Sequence, residues 1–177
     1  MKQLLLIPLF AITLVGCNQK AESSIQPREF TTTLEDFSFS LEWGIQFDSS
    51  YNSATKELIK FKNVRERKVE EYTTSYQYPD LEGIYNKIKD MDLYSYLDKF
   101  DPFTSPNHIM STPSTNYKLV IEDKSIEVND FPIGINIEEA GLSKKGKKFI
   151  EIVTSITNTV TASDEWKTLP EPEYYYL

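Results

Sequence analysis

The chain has 177 residues and an acidic balance, 27 Asp and Glu against 19 Lys and Arg, for a formal net charge of −8. That acidity argues against a nucleic-acid partner, because phosphate backbones demand a basic footprint. One domain is the natural count at this length, and a chain this size buries about 70% of its unfolded surface, enough for a core without metals.

Eleven Tyr and ten Phe point to a β-rich domain, since aromatic side chains suit half-buried pleated surfaces. The same residues would also suit a face that binds a sugar or a partner.

The N-terminus is the most informative stretch. Met1-Lys2-Gln3 supplies a short positive start, and Leu4 to Val15 is an almost unbroken apolar run followed at once by Asn18, Gln19 and Lys20. A helix rises about 1.5 Å per residue against a hydrocarbon core about 30 Å thick, so this run is too short to span a membrane. Positive start, short apolar run and polar sequel describe a secretory signal.

Ordinary signals end in a small-x-small site, whereas this one ends in Leu14-Val15-Gly16-Cys17. Those four residues resemble the lipobox of bacterial lipoproteins. The resemblance implies a diacylglycerol on the Cys17 sulfur and cleavage before Cys17. The implied organisation is a signal peptide over 1–16, a lipidated cysteine and tether over 17–36, and a single domain over 37–177. Cys17 is the only cysteine. Once lipidated it leaves no thiol for a disulfide. Two or three acyl chains, at about 0.8 kcal/mol per buried CH₂, hold a protein stably on a bilayer.

Asn18 to Asp36 is polar and lacks periodicity, as expected of a tether. The domain opens at Phe37, where odd positions through Phe47 are apolar and even positions are Ser, Ser, Glu, Gly and Gln. This period-two pattern predicts a strand. Asp48–Thr55 reads as a turn, and Glu57–Val64 as a second strand with Ile59 and Phe61 facing the core. The turn is no EF-hand: counted from Asp48, its sixth residue is Ser53 rather than Gly, and its twelfth is Ile59 rather than Glu. Lys68–Tyr78 predicts a third strand, with Tyr72, Tyr76 and Tyr78 on one face. Such a stripe stacks sugars or, more commonly, lines a sheet under a helix.

Asp80–Leu93 predicts a helix, because Leu81, Ile84, Tyr85, Ile88 and Met91 recur at three- and four-residue steps and Asp80 suits an N-cap. Asp98–Ser114 is a long aperiodic loop with three prolines and the only histidine, His108. Tyr117–Glu122 and Ser125–Val128 predict a hairpin turning at Asp123-Lys124, with pairing ended near Pro132. Ser143–Thr161 predicts a second helix with Phe149, Ile152, Val153, Ile156 and Val160 as its apolar stripe. Lys144, Lys145, Lys147 and Lys148 crowd its start, which the helix dipole disfavours. That cluster is either a solvated helix start or a patch for anionic headgroups or polymers. Ser163–Leu169 adds a short turn anchored by Trp166.

The order of elements predicts an α+β class: an antiparallel sheet of about five strands with two amphipathic helices packed on one face. For chemistry the pattern is sparse. His108 sits among Ser105, Asn107, Ser111 and Thr112, with Asp98 and Asp101 upstream, but no Gly-x-Ser-x-Gly elbow occurs. There is no His-Glu-x-x-His, no Gly-rich phosphate loop and no spare cysteine. Asp90 and Asp92 form a carboxylate pair on the polar side of a helix end. No catalytic, metal or cofactor residue is therefore assigned, and the one site residue is Cys17, for lipidation. The expectation is a non-enzymatic binding domain of the cell envelope, anchored to the membrane through Cys17, with an envelope protein or polymer as partner. The alternatives are an inhibitor or immunity-type envelope protein and a carboxylate-based envelope enzyme.

Overall fold

The computed structural model describes residues 28–61, 71–105, 113–138 and 140–171. Among them are the strands β1 Ser40–Gly44, β2 Ser49–Asn52, β3 Glu57–Phe61, β4 Glu71–Ser75, β5 Ser114–Ile121 and β6 Lys124–Pro132. The helices are α1 Leu81–Asp90, α2 Lys144–Ala162 and α3 Asp164–Thr168, with a 3-10 turn over Leu93–Ser95. All strand pairs are antiparallel, in one sheet of order β4-β3-β2-β1-β5-β6. The class is α+β, as the order of elements predicts.

Alternation decides which face each strand buries. Phe37, Phe39, Leu41 and Trp43 all turn inward, as the period-two pattern requires. The alternation does not continue to Ile45, which is exposed, because Gly44 takes φ +107° and starts the turn. A Cβ at Gly44 would collide with the Asp48 carboxylate, so both the backbone angle and the space demand glycine.

That early turn creates a strand where the sequence predicts only a loop. Ser49-Ser50-Tyr51-Asn52 pairs with both β1 and β3, and its Tyr51 is fully buried. The register of β3 is also opposite to expectation. Leu58 and Lys60 face the core, whereas Ile59 pairs with Ser50 and Thr73 on the other face. Leu58 and Ile59 are adjacent and both apolar, so a one-residue slip exchanges the faces.

The β5–β6 turn is Glu122-Asp123, one residue earlier than predicted, with Ile121 opposite Lys124 and Glu122 at φ +54°. The second strand of the hairpin runs past its predicted end at Val128, and its pairing stops at Pro132 opposite Ser114, near the predicted stop.

Asp80 caps α1 by accepting from the Gly83 N–H at 2.9 Å, and Ser143 caps α2 by accepting from the Gly146 N–H at 2.9 Å. The predicted stripe of α2 is buried throughout, and Ile84 and Ile88 of α1 join it. These residues and the inward face of the sheet form one core cluster. Among the described residues, the opposite face of the sheet carries Ser40, Glu42, Ser50, Asn52 and Lys118, all half-buried.

Two segments read as irregular are tied down. Residues 98–100 run along β6, with Glu127 donating to the Asp98 carbonyl at 2.7 Å and Phe100 donating to the Glu127 carbonyl at 2.8 Å. The Pro102 carbonyl then accepts from the Ser143 N–H at 2.8 Å. At the other end, residues 28–36, expected within the tether, lie against the domain. Phe30 packs edge-on to Phe37, and the Tyr85 hydroxyl donates to the Thr32 carbonyl at 3.1 Å.

Candidate functional site

The open face of the sheet is the first candidate. Ser40 at its centre lies between Asn52 and Val120, and Glu42 one step along lies between Ser50 and Lys118. Lys118 and Glu42 are joined at 2.7 Å and each is about one-third exposed. Toward one end, Ser38, Ser40, Asn52, Ala54, Val120 and Glu122 line a shallow concavity of about 160 Å³. Pockets for small organic ligands usually enclose about 300–1,000 Å³ with mostly apolar walls. This one is too small, too open and too polar for that role. Its polar groups are also engaged: Asn52 Oδ1 accepts from the Ala54 N–H, and Glu122 accepts from the Tyr94 hydroxyl. The face suits contact with another surface rather than enclosure of a small molecule.

The second candidate lies on the helix-covered face. Asp48, Ser49, Lys60 and Thr115 are buried, and all four gather at the Gly44 end of the sheet. Ser49 stands opposite both Trp43 and Lys60, and the Thr115 hydroxyl accepts from the Gly44 N–H at 3.2 Å. Lys60 is 1% exposed, yet carries an ammonium group. Its Nζ lies 4.6 Å from the Trp166 ring centre and bonds Glu171 Oε1 at 2.9 Å. Trp166 packs on Trp43 with centroids 5.5 Å apart, so α3 closes over the lysine.

A serine beside a lysine invites comparison with Ser-Lys nucleophile pairs. Here Lys60 is committed to Glu171, Ser49 Oγ leans to Asp48 Oδ1 at 3.5 Å, and both side chains are shut from solvent. The cluster is a cation held in place by an aromatic lid and one carboxylate. Its signal in the sequence is weak: Lys60 is one lysine in an alternating strand, and only the register reveals that it points inward.

The residues singled out from the sequence separate. Cys17 and His108 lie outside the described residues. Tyr76 and Tyr78 are buried and Tyr72 is half-buried, so the stripe lines the core rather than offering a sugar platform. Tyr51 ties the group together, donating to the Tyr76 carbonyl at 3.2 Å and accepting from the Tyr78 N–H at 3.3 Å. Burial pushes the Tyr51, Tyr76 and Tyr78 phenols above their ordinary range. Asp98 pairs with Lys124 at 2.6 Å, and Asp101 accepts from the Phe103 N–H at 3.0 Å, which spends both carboxylates on local structure. Among the described residues, no group of three His, Cys, Asp or Glu side chains is placed to hold a metal ion.

The lysine cluster has a structural explanation that the sequence hides. Lys148 Nζ donates to the Asp90 carbonyl at 2.6 Å and Lys145 Nζ donates to the Ser95 carbonyl at 2.9 Å. These carbonyls end α1 and the 3-10 turn, so the lysines that burden the start of α2 satisfy the negative ends of two neighbours. Lys147 pairs with Glu138 at 2.6 Å.

Close by, Arg28 stacks over the Tyr94 ring at 4.4 Å and bonds Asp123 at 2.6 Å. The hydrogen bond from Arg28 holds the Asp123 carboxyl below its ordinary range. Tyr94 is pushed up to about 12 by burial and by its hydrogen bond to Glu122.

No helix among the described residues is long and apolar enough to cross a membrane. No protein-family model matches the chain, and the search of curated proteins found no match.

Proposed function

We propose that the chain is a lipoprotein anchored outside the cytoplasm through lipid on Cys17, and that its domain binds an envelope partner rather than catalysing a reaction. The observation that carries the anchor is Leu14-Val15-Gly16-Cys17 at the end of the short apolar run. The binding half is supported by the sheet. One face is closed by helices, whereas the other presents serines, asparagines and a Glu42–Lys118 pair, and the concavity among them is below ligand size. The most unusual buried group, Lys60, is sealed under Trp166 and is inaccessible to a substrate.

The test uses the full chain expressed with its own leader. In detergent phase separation it enters the detergent phase, and Cys17→Ala stays aqueous. Equal partition of the two would overturn the anchor. For the binding half, Ser40→Arg and Val120→Arg, both at the centre of the open face, abolish retention of the partner on the anchored protein while leaving the fold unchanged. Retention that survives both substitutions would move the binding surface elsewhere.

A further inference from the structure

We infer that the corner formed by Arg28, residues 94–98, the Glu122-Asp123 turn and the start of α2 is the end of the domain that rests on anionic bilayer headgroups. The inference rests on the lipid anchor proposed above and adds an orientation to it.

Three observations converge on this corner. The first is where the anchored end of the chain arrives. Arg28 follows Cys17 by eleven residues, a span of at most about 40 Å when fully extended. It is pinned by Tyr94 and Asp123. A domain of this size is itself about 40 Å across, from a radius of gyration of about 15 Å. The opposite end of the sheet, around Gln46, lies about 20 Å farther along β5, so bringing it to the bilayer would stretch residues 17–27 beyond their coil length of about 18 Å.

The second observation is apolar. Leu97 is 72% exposed, the most exposed of the large apolar side chains described. It sits between Tyr96, whose hydroxyl donates to the Lys145 carbonyl at 3.0 Å, and Asp98, which pairs with Lys124. A lone exposed leucine is ordinary on a protein surface. Beside an anchored chain and within reach of headgroups, it is placed to dip into the interface.

The third is charge. Two acids of the corner are paired with cations, Asp123 with Arg28 and Asp98 with Lys124, whereas Glu122 bonds the neutral Tyr94 hydroxyl and keeps its charge. Lys145 and Lys148 bond neutral carbonyls, so their charges are not cancelled by those contacts. Lys144 beside them is exposed. Glu122, Asp90 and Asp92 balance the charges of Lys144, Lys145 and Lys148. In a chain of net charge −8, a corner near neutral is repelled by an anionic surface less than the chain's average.

The test places a fluorophore at one of two engineered cysteines in the full-length lipidated protein, whose Cys17 sulfur is blocked. The positions are Leu97→Cys at the corner and Gln46→Cys at the far end of the sheet, both exposed. The protein is reconstituted on phosphatidylglycerol-containing vesicles with quencher-bearing lipid. The expected result is quenching at 97 several-fold stronger than at 46. Equal quenching at both positions on protein that floats with the vesicles would overturn the orientation and leave the anchor standing. Protein that does not float would overturn the anchor itself, and the inference with it.

Discussion

Lys60 shows how a single residue constrains this fold. An ammonium taken out of water costs several kcal/mol unless it is paired, and the partner here, Glu171, is 84% exposed. Glu171→Gln should therefore destabilise by about 1–2 kcal/mol, less than the 3–5 kcal/mol of a fully buried pair, because solvent already screens the carboxylate. Lys60→Met keeps the stem packed against Trp166 and removes the charge, so it should be neutral or stabilising. In the Lys60→Met background, Glu171→Gln should cost nothing measurable. Urea midpoints of the three variants decide this; a large loss in Lys60→Met would mean that the charge itself holds the fold. The sequence hides the site because Leu58 and Ile59 fit either register equally well. The aromatic cover, Trp166, lies more than a hundred residues away.

At the scale of elements, periodicity revealed α1 and α2 and their buried stripes, since each carries several turns of evidence. It concealed β2, whose Ser49-Ser50-Tyr51-Asn52 is polar except for one tyrosine, between turn-forming neighbours. Only the early stop at Gly44 makes room for that strand. The strap over 98–105 was illegible for a related reason: backbone bonds to β6 and α2 hold it, and these leave no side-chain pattern. Gly146 records that contact. A Cβ there would collide with the Pro102 carbonyl, the same carbonyl that accepts from Ser143. Glycine to alanine inside a helix ordinarily stabilises by about 1 kcal/mol. Here Gly146→Ala should reverse the sign and cost about 1–3 kcal/mol, the usual range for overpacking. Thermal unfolding reads it directly, and a raised midpoint would show that the strap yields freely.

Over the whole molecule, a set of buried tyrosines is built into a mainly aliphatic core. Tyr117 joins Tyr51, Tyr76 and Tyr78 in having a phenol raised above its ordinary range by burial, and burial pushes Tyr96 up to about 12. A phenol whose folded value lies above its unfolded value of about 10 retains its proton longer when folded. That contribution is complete below about pH 10 and is lost as pH rises through the folded value, about 12 for Tyr96. The domain should be insensitive to pH between neutrality and about 10, then unfold steeply, with phenolate absorbance and loss of near-ultraviolet circular dichroism rising together. Phenolate appearing well before unfolding would mean that the tyrosines are more accessible than their packing indicates.

The assignment of the molecule to a membrane surface depends on the chemistry of one sulfur. The most direct measurement is the intact mass of the protein purified from its native membrane. The account predicts a chain that begins at Cys17 and carries the added mass of a diacylglycerol, with or without a further acyl group on the new amine. An unmodified cysteine, or a first residue other than Cys17, would contradict it.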